Sequence, residues 1–316
     1  MDHWQKNSFS QQLKPYPFVK GKTYAIKVEF FETLGNGKIS LVWQTTSPQA
    51  RKLSIDSAVA LARRSDVAII AAGIHEGEFQ DRAYLSLPGY QQELIQAVAA
   101  TGKPVVVLLT GGSAITMNDW LDKVPAVMDT WYAGEAGGDA IAALLFGDHS
   151  PSGRLPITFP IHESQLPLVY NHHPTGRGDD YHNLSGQPLF PFGHGLSYTK
   201  FDYSPLTISK TSMRANDSVT LSLTVKNVGN YDGAEVLQLY ITDVLSSVTR
   251  PVMELKGFQK IFLPKGAAAT VSFRITPAML SMLDKNLHTV VEPGDFLLRV
   301  GASSKDIRGE ILLTVE

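Results

Sequence analysis

The chain has 316 residues and no cysteine. That excludes disulfide scaffolding and thiolate chemistry, and it fits either side of a membrane. No apolar run reaches the roughly 20 residues that a spanning helix needs. The opening Met1-Asp2-His3-Trp4-Gln5-Lys6 is polar and lacks the apolar stretch of a secretory signal. Strong charge of one sign is missing too: 28 basic against 30 acidic side chains leave a net charge of −2. With no basic field to attract phosphate, neither a nucleic acid nor a membrane surface is expected as a partner. What is present, 43% apolar and 18% charged residues, is the composition of a globular protein long enough for two or three domains.

Four regions differ in pattern. Residues 1–46 look all-β. The stretch 22–30 alternates, with Tyr24, Ile26, Val28 and Phe30 on one face, and Gly35-Asn36-Gly37 is a hairpin signal before a partner strand at 38–43. Two or three strands do not make a stable sandwich alone. Residues 47–165 alternate helices with short, uniformly apolar, β-branched runs. Helices are predicted over 57–65, 91–101 and from the glycine-rich turn at 134–138 through Phe146. Strands are predicted over 66–73, 104–109 and 126–131. That pattern implies a parallel sheet covered on both faces. Three strands are few for an independent domain, and the N-terminus opens without an element start signal, so an upstream part is expected. Residues 166–203, rich in Pro, Gly, His, Asn and Asp, read as an extended connection. Residues 204–316 return to short alternating strands, at 219–225, 235–241, 270–275 and 296–300, in the manner of an immunoglobulin-like sandwich.

The run from Gly77 to Gly89 sets a carboxylic acid, Glu78, in a polar loop just past the first apolar strand and ahead of a helix that starts behind Pro88-Gly89. The carboxyl ends of parallel strands are where open α/β sheets keep their ligands, so Glu78 is a candidate proton donor. Glu76, two residues away, is the lesser candidate, and His75 is read as an ordinary loop histidine. Arg82 is expected to tie the loop to Asp81 or to backbone carbonyls; pairing directly with Glu78 would favour the charged form, the wrong direction for a donor.

Four segments then point one way. They are Gly77-Glu78 through Arg82 with Leu87-Pro88-Gly89 and Gln91; Trp131 through Gly138 with Phe146-Gly147-Asp148 and Pro151 through Pro160; Phe190 through Thr199; and Arg250-Pro251, Glu254 through Phe258 and Val291 through Phe296. In this order they resemble the C-terminal half of glycoside hydrolase family 3, the β-glucosidase and β-xylosidase family, from about residue 50 to the end. Residues 1–46 resemble the tail of the PA14-type β-domain that some members insert. The resemblance implies a partial parallel-sheet α/β sandwich domain at 47–165, a fibronectin type III-like β-sandwich at 204–316 and an N-terminal β remnant. It also implies a retaining mechanism on terminal β-linked sugars, with Glu78 as general acid/base; separately, no cofactor or metal is expected. The Asp nucleophile and most sugar-binding groups of such enzymes sit on a barrel, which this chain does not contain. A barrel from an upstream segment or a second chain is the implied partner, and the chain alone is expected to be inactive. The alternative is a non-catalytic carbohydrate-binding or interaction module.

The remaining motifs have plainer readings. Asp119 in Met117-Asn118-Asp119-Trp120 reads as a turn residue, although it superficially matches the family's nucleophile motif. The glycines of Gly134-Glu135-Ala136-Gly137-Gly138 read as packing a helix on a strand. His172 and His173 with Asp179 and Asp180 read as polar surface rather than metal ligands. Arg177-Gly178-Asp179 and the sequons at Asn183 and Asn216 carry no argument. Phe190, Phe192 and Tyr198 are expected to anchor the connection onto the sandwich.

Overall fold

The computed structural model describes residues 14, 16–31, 39–42, 48–78, 81–176 and 179–316. Helix α1, Pro48–Arg63, opens earlier than the pattern predicts. Pro48 supplies a preset φ where the missing N–H is not needed, and Ala58 and Ala62 give the helix a face to bury. Then come β1 (Ala68–Gly73), α2 (Gln91–Ala99), β2 (Val105–Thr110), β3 (Ala126–Asp129) and α3 (Gly137–Leu145). The three strands pair in parallel in the order β1-β2-β3.

One face of this sheet is dry. Ile70 lies beside Val107 and Ala72 beside Leu109, and all four are buried with Ala62 of α1 and Ile95 and Val98 of α2. The other face differs from expectation: among the described residues Ile69 is 53% exposed and Ala71 is open as well. The reason is topological. Right-handed crossovers through a sheet that runs β1-β2-β3 in one direction all land on one side. The opposite side is covered only where a sheet winds back the other way, and these three strands do not.

The predicted strand at 22–30 is not formed. Among residues 16–31 and 39–42 there is no strand, and Ile26, Val28 and Phe30 are exposed rather than half-buried. A ladder needs a partner and a covered face, and this segment has neither among the described residues. The turn at 35–37 lies outside them.

The C-terminal region is a β-sandwich. One sheet runs β10-β7-β4 (Ala268–Ile275, Val219–Asn227, Phe201–Tyr203), with β5 (Thr207–Ile208) also on β7. The other runs β6-β14-β13-β8-β9 (Ser212–Met213, Ile307–Val315, Gly294–Gly301, Gly233–Asp243, Glu254–Leu263). Strand alternation builds the core: Leu221, Leu223 and Val225 face Leu237, Leu239 and Leu298, all buried. A helical turn, α4 (Pro277–Leu280), and a small hairpin of β11 (Met282–Leu283) and β12 (Thr289–Val290) complete it.

The connecting arm is fastened to both halves. Phe190 bridges to Phe159 and stacks on His194 at 5.0 Å, which puts it on the α/β core. Tyr198 donates its hydroxyl to the Leu144 carbonyl at the end of α3. Only Phe192 goes to the sandwich side as expected, stacked on Tyr170, whose ring edge meets Tyr240. Gly193 is required here: its φ is 81°, and a Cβ would strike the Gln238 carboxamide, which donates to the Gly193 carbonyl.

A buried ion pair also joins the halves. Arg154 Nη2 lies 2.6 Å from Glu235 Oε1, with side chains 9% and 7% exposed. Removing one partner strands a desolvated charge. Glu235→Leu should therefore lose about 3 kcal/mol of stability in urea titrations, and Arg154→Met with Glu235→Leu should regain most of it. A double variant no more stable than Glu235→Leu alone would contradict this account.

Candidate active site

The β1–α2 loop is closed at its base by one side chain. Gln91, the first residue of α2, accepts a hydrogen bond from the Gly73 amide at 2.7 Å and donates to the Gly73 carbonyl at 2.8 Å and the Pro88 carbonyl at 3.0 Å. Gly73 has no room for a side chain, since a Cβ would sit 2.4 Å from the Thr110 carbonyl oxygen. The loop is pinned again further along. The Leu85 amide donates to Glu163 at 2.6 Å, and the Thr116 amide donates to the Leu85 carbonyl at 3.0 Å. Burial pushes the Glu163 carboxyl up, but its own amide and that of Leu85 prevail and hold it below the usual range.

Glu76 sits in a cradle of donors. The Gly112 amide at 2.6 Å, the Tyr132 hydroxyl at 2.7 Å and the Ser113 hydroxyl all point at its carboxylate. Ser113 above all, with Tyr132 and the Gly112 amide, holds the Glu76 carboxyl below its ordinary range against an opposing push from burial. Arg82 supports the cradle from behind, donating to the Ser113 hydroxyl at 2.8 Å and the Ala114 carbonyl at 3.0 Å, not to Asp81. A carboxylate so held is an acceptor at neutral pH and has no proton to give.

Glu78, two residues on, is exposed, and nothing among the described residues pairs with it. His75 is also exposed and borders a hollow of about 360 Å³ with Ile74, Gln91 and Thr110. Asp119 takes a turn role: it accepts from Gln92 at 3.2 Å, and its carbonyl accepts from Gln96 and Lys123, while Trp120 beside it is fully buried. Glu135 is exposed, and the buried Gly137 packs against Ala133 within its own turn. His172 Nε2 lies 3.8 Å from Asp179 Oδ2, and no group of three metal-ligating side chains occurs among the described residues. Residues 177 and 178 lie outside those residues. The sequence reading gives Gly112, Ser113 and Tyr132 no site role, although Tyr132 lies in the family-like segment Trp131 through Gly138. Gly111-Gly112-Ser113 directly follows a parallel strand, the position that faces the loop after β1, and was the available signal.

Residues 7–198 match the Glycosyl hydrolase family 3 C-terminal domain. The chain belongs to this family. Residues 235–304 match a fibronectin type III-like domain. A β-xylosidase of Formosa agariphila is 41% identical over 272 residues, covering 84% of this chain and 38% of that protein. A periplasmic β-glucosidase of Salmonella typhimurium is 39% identical, with 83% of this chain and 36% of the relative covered. A solved β-glucosidase from Erythrobacter marinus superposes with a TM-score of 0.80 at 37% identity, over 85% of this chain and 37% of its own. The family 3 chain described here thus spans well under half the length of these relatives.

The Glu76 cradle has a pH signature. A carboxyl with a lowered folded pKa stabilises above its unfolded pKa and loses that contribution as pH falls through the folded value. The Tm advantage of the parent over Glu76→Gln should therefore be full near pH 7 and close as the pH drops below about 4. Equal Tm differences across that range, read by differential scanning calorimetry, would mean the carboxylate charge is not what the cradle holds.

Proposed function

We propose that this chain is the acid/base-bearing portion of a retaining β-glycosidase that removes terminal β-linked sugars. Glu78 is the general acid/base. The nucleophilic Asp comes from a barrel domain encoded upstream or carried on another chain, and the chain by itself does not turn over. One observation carries the reading: the β1–α2 loop is fixed at Gly73, Glu76 and Leu85, while Glu78, one of two exposed acids on it with Asp81, has no partner among the described residues. The names of the relatives, β-glucosidase and β-xylosidase, support the substrate class and leave the sugar open.

The chemistry follows from the distances a retaining enzyme needs. Its two carboxyls stand about 5–5.5 Å apart, one attacking the anomeric carbon as carboxylate, the other protonating the departing oxygen and then deprotonating water. The donor must keep its proton near neutral pH, which takes burial or a neighbouring negative charge. A barrel docked over the loop would supply both at Glu78. Glu76 is unsuited, because its three donors stabilise the ion. The uncovered sheet face around Ile69 supports further α/β structure packing there in the whole enzyme. Residues 1–46 are read as the end of a PA14-type domain of that enzyme on the family resemblance alone, since the alternating stretch at 22–30 forms no strand.

In the barrel-completed enzyme, Glu78→Gln should slow alkyl or disaccharide substrates by about 10²–10⁴-fold and activated aryl glycosides far less, since only poor leaving groups need a proton. Steady-state rates on both classes test this, and equal losses remove Glu78 from the donor role. Turnover by residues 1–316 alone at ordinary glycosidase rates would refute the shared-site reading.

A further inference from the structure

A hollow of about 440 Å³ lies between the arm and the outer face of the sandwich. Its size falls in the range of small-molecule sites, about 300–1,000 Å³. The walls are built, not left over between loose loops. Tyr170 stacks on Phe192 with ring centroids 4.2 Å apart, and its hydroxyl accepts from the Leu255 amide at 3.1 Å. Gln165, 2% exposed, spends its whole carboxamide on the arm: Oε1 accepts from the amides of Ile161 and His162, and Nε2 donates to the carbonyls of Ser185 and Gln187. Two backbone bonds stitch arm to sandwich beside the hollow, Val252 amide to His172 carbonyl at 2.9 Å and Ser304 amide to Phe192 carbonyl at 3.0 Å.

The polar lining is mixed and includes a group in want of a partner. Ser304 is 3% exposed, and its hydroxyl makes no hydrogen bond. Buried hydroxyls are ordinarily paired, and Ser304 borders this space. Around the same space stand an acceptor, Asp179, a donor, Lys305, and a group that does both, Gln187. One Asp, with His172 beside it, against one Lys leaves no strong charge of one sign to select an ion. Donors and acceptors side by side suit ligand hydroxyls, each of which gives and takes a proton, while the rings of Tyr170 and Tyr181 offer flat apolar surface to C–H faces.

We propose that this hollow is a binding site for a neutral saccharide of one or two rings. The choice of a saccharide among neutral polyols rests on the β-glycosidase reading; the built cavity and the unpaired hydroxyl do not.

The test uses the full chain, isotope-labelled and titrated with cellobiose and with xylobiose. Saturable shifts are expected at the amides of Tyr170, Tyr181, Ser304 and Lys305, with a millimolar dissociation constant. Ser304→Ala should weaken binding about 5-fold, with a Tm no lower than the parent's because an unpaired buried hydroxyl is gone. Tyr181→Ala, at an exposed position, should weaken it as well and serves if Ser304→Ala misfolds. Absence of saturable shifts up to about 50 mM of either sugar, shifts confined to residues 74–90, or unchanged affinity in the folded variants overturns the site. Hydrolysis by the barrel-completed enzyme is scored apart. Binding without hydrolysis retires the enzyme reading and leaves this site standing; hydrolysis without binding does the reverse.

Discussion

One carboxamide holds the β1–α2 loop in place. Gln91 takes both polar groups of the Gly73 peptide, donor to acceptor and acceptor to donor, at the point where the chain leaves the sheet. The match works only because Gly73 has no side chain, which lets Thr110 of the neighbouring strand come within contact of the same residue. The end of β1 and the start of α2 are thereby fixed to each other, and the long loop between them becomes an appendage of the sheet. The described positions on that loop, Glu78 included, inherit their place from this junction.

Within the loop the two glutamates are treated in opposite ways. Glu76 is surrounded by hydroxyls and an amide that favour its ionised form, with Arg82 bracing the same hydroxyl from the far side. It behaves as a peg. Glu78 is exposed and has no partner among the described residues. A fixed carboxylate two residues away gives the loop rigidity without engaging Glu78, the group proposed to change protonation state.

Much of this frame was legible locally. The apolar β-branched runs at β1, β2 and β3 have one reading at that length, and the stripe of Leu94, Ile95 and Val98 marks α2 without ambiguity. The strands of the sandwich declare themselves by alternation, as β7 does with Val219, Leu221, Leu223 and Val225 inward. The alternation at 22–30 misled, because period alone does not supply the neighbour that a strand must pair with. The start of α1 was missed because the helical face is thin before Ala58, and the decisive residue is Pro48, whose effect is on φ rather than on burial. The cradle of Glu76 was legible only as Gly111-Gly112-Ser113 behind a strand, for a different reason. Its partners are 36 to 56 residues away along the chain, and hydrogen bonds at such separations leave no local pattern.

Those separations bear on the order in which the molecule comes together. Gln91 can seat on Gly73 early, but Glu76 must await Tyr132, and Leu85 must await Glu163, 78 residues further on. Because synthesis proceeds from the N-terminus and loop closure over long separations comes late, the segment bearing Glu78 takes its final shape only after the entire α/β portion has emerged from the ribosome. The acid is thus among the earliest residues of that portion to be made and among the last to be set.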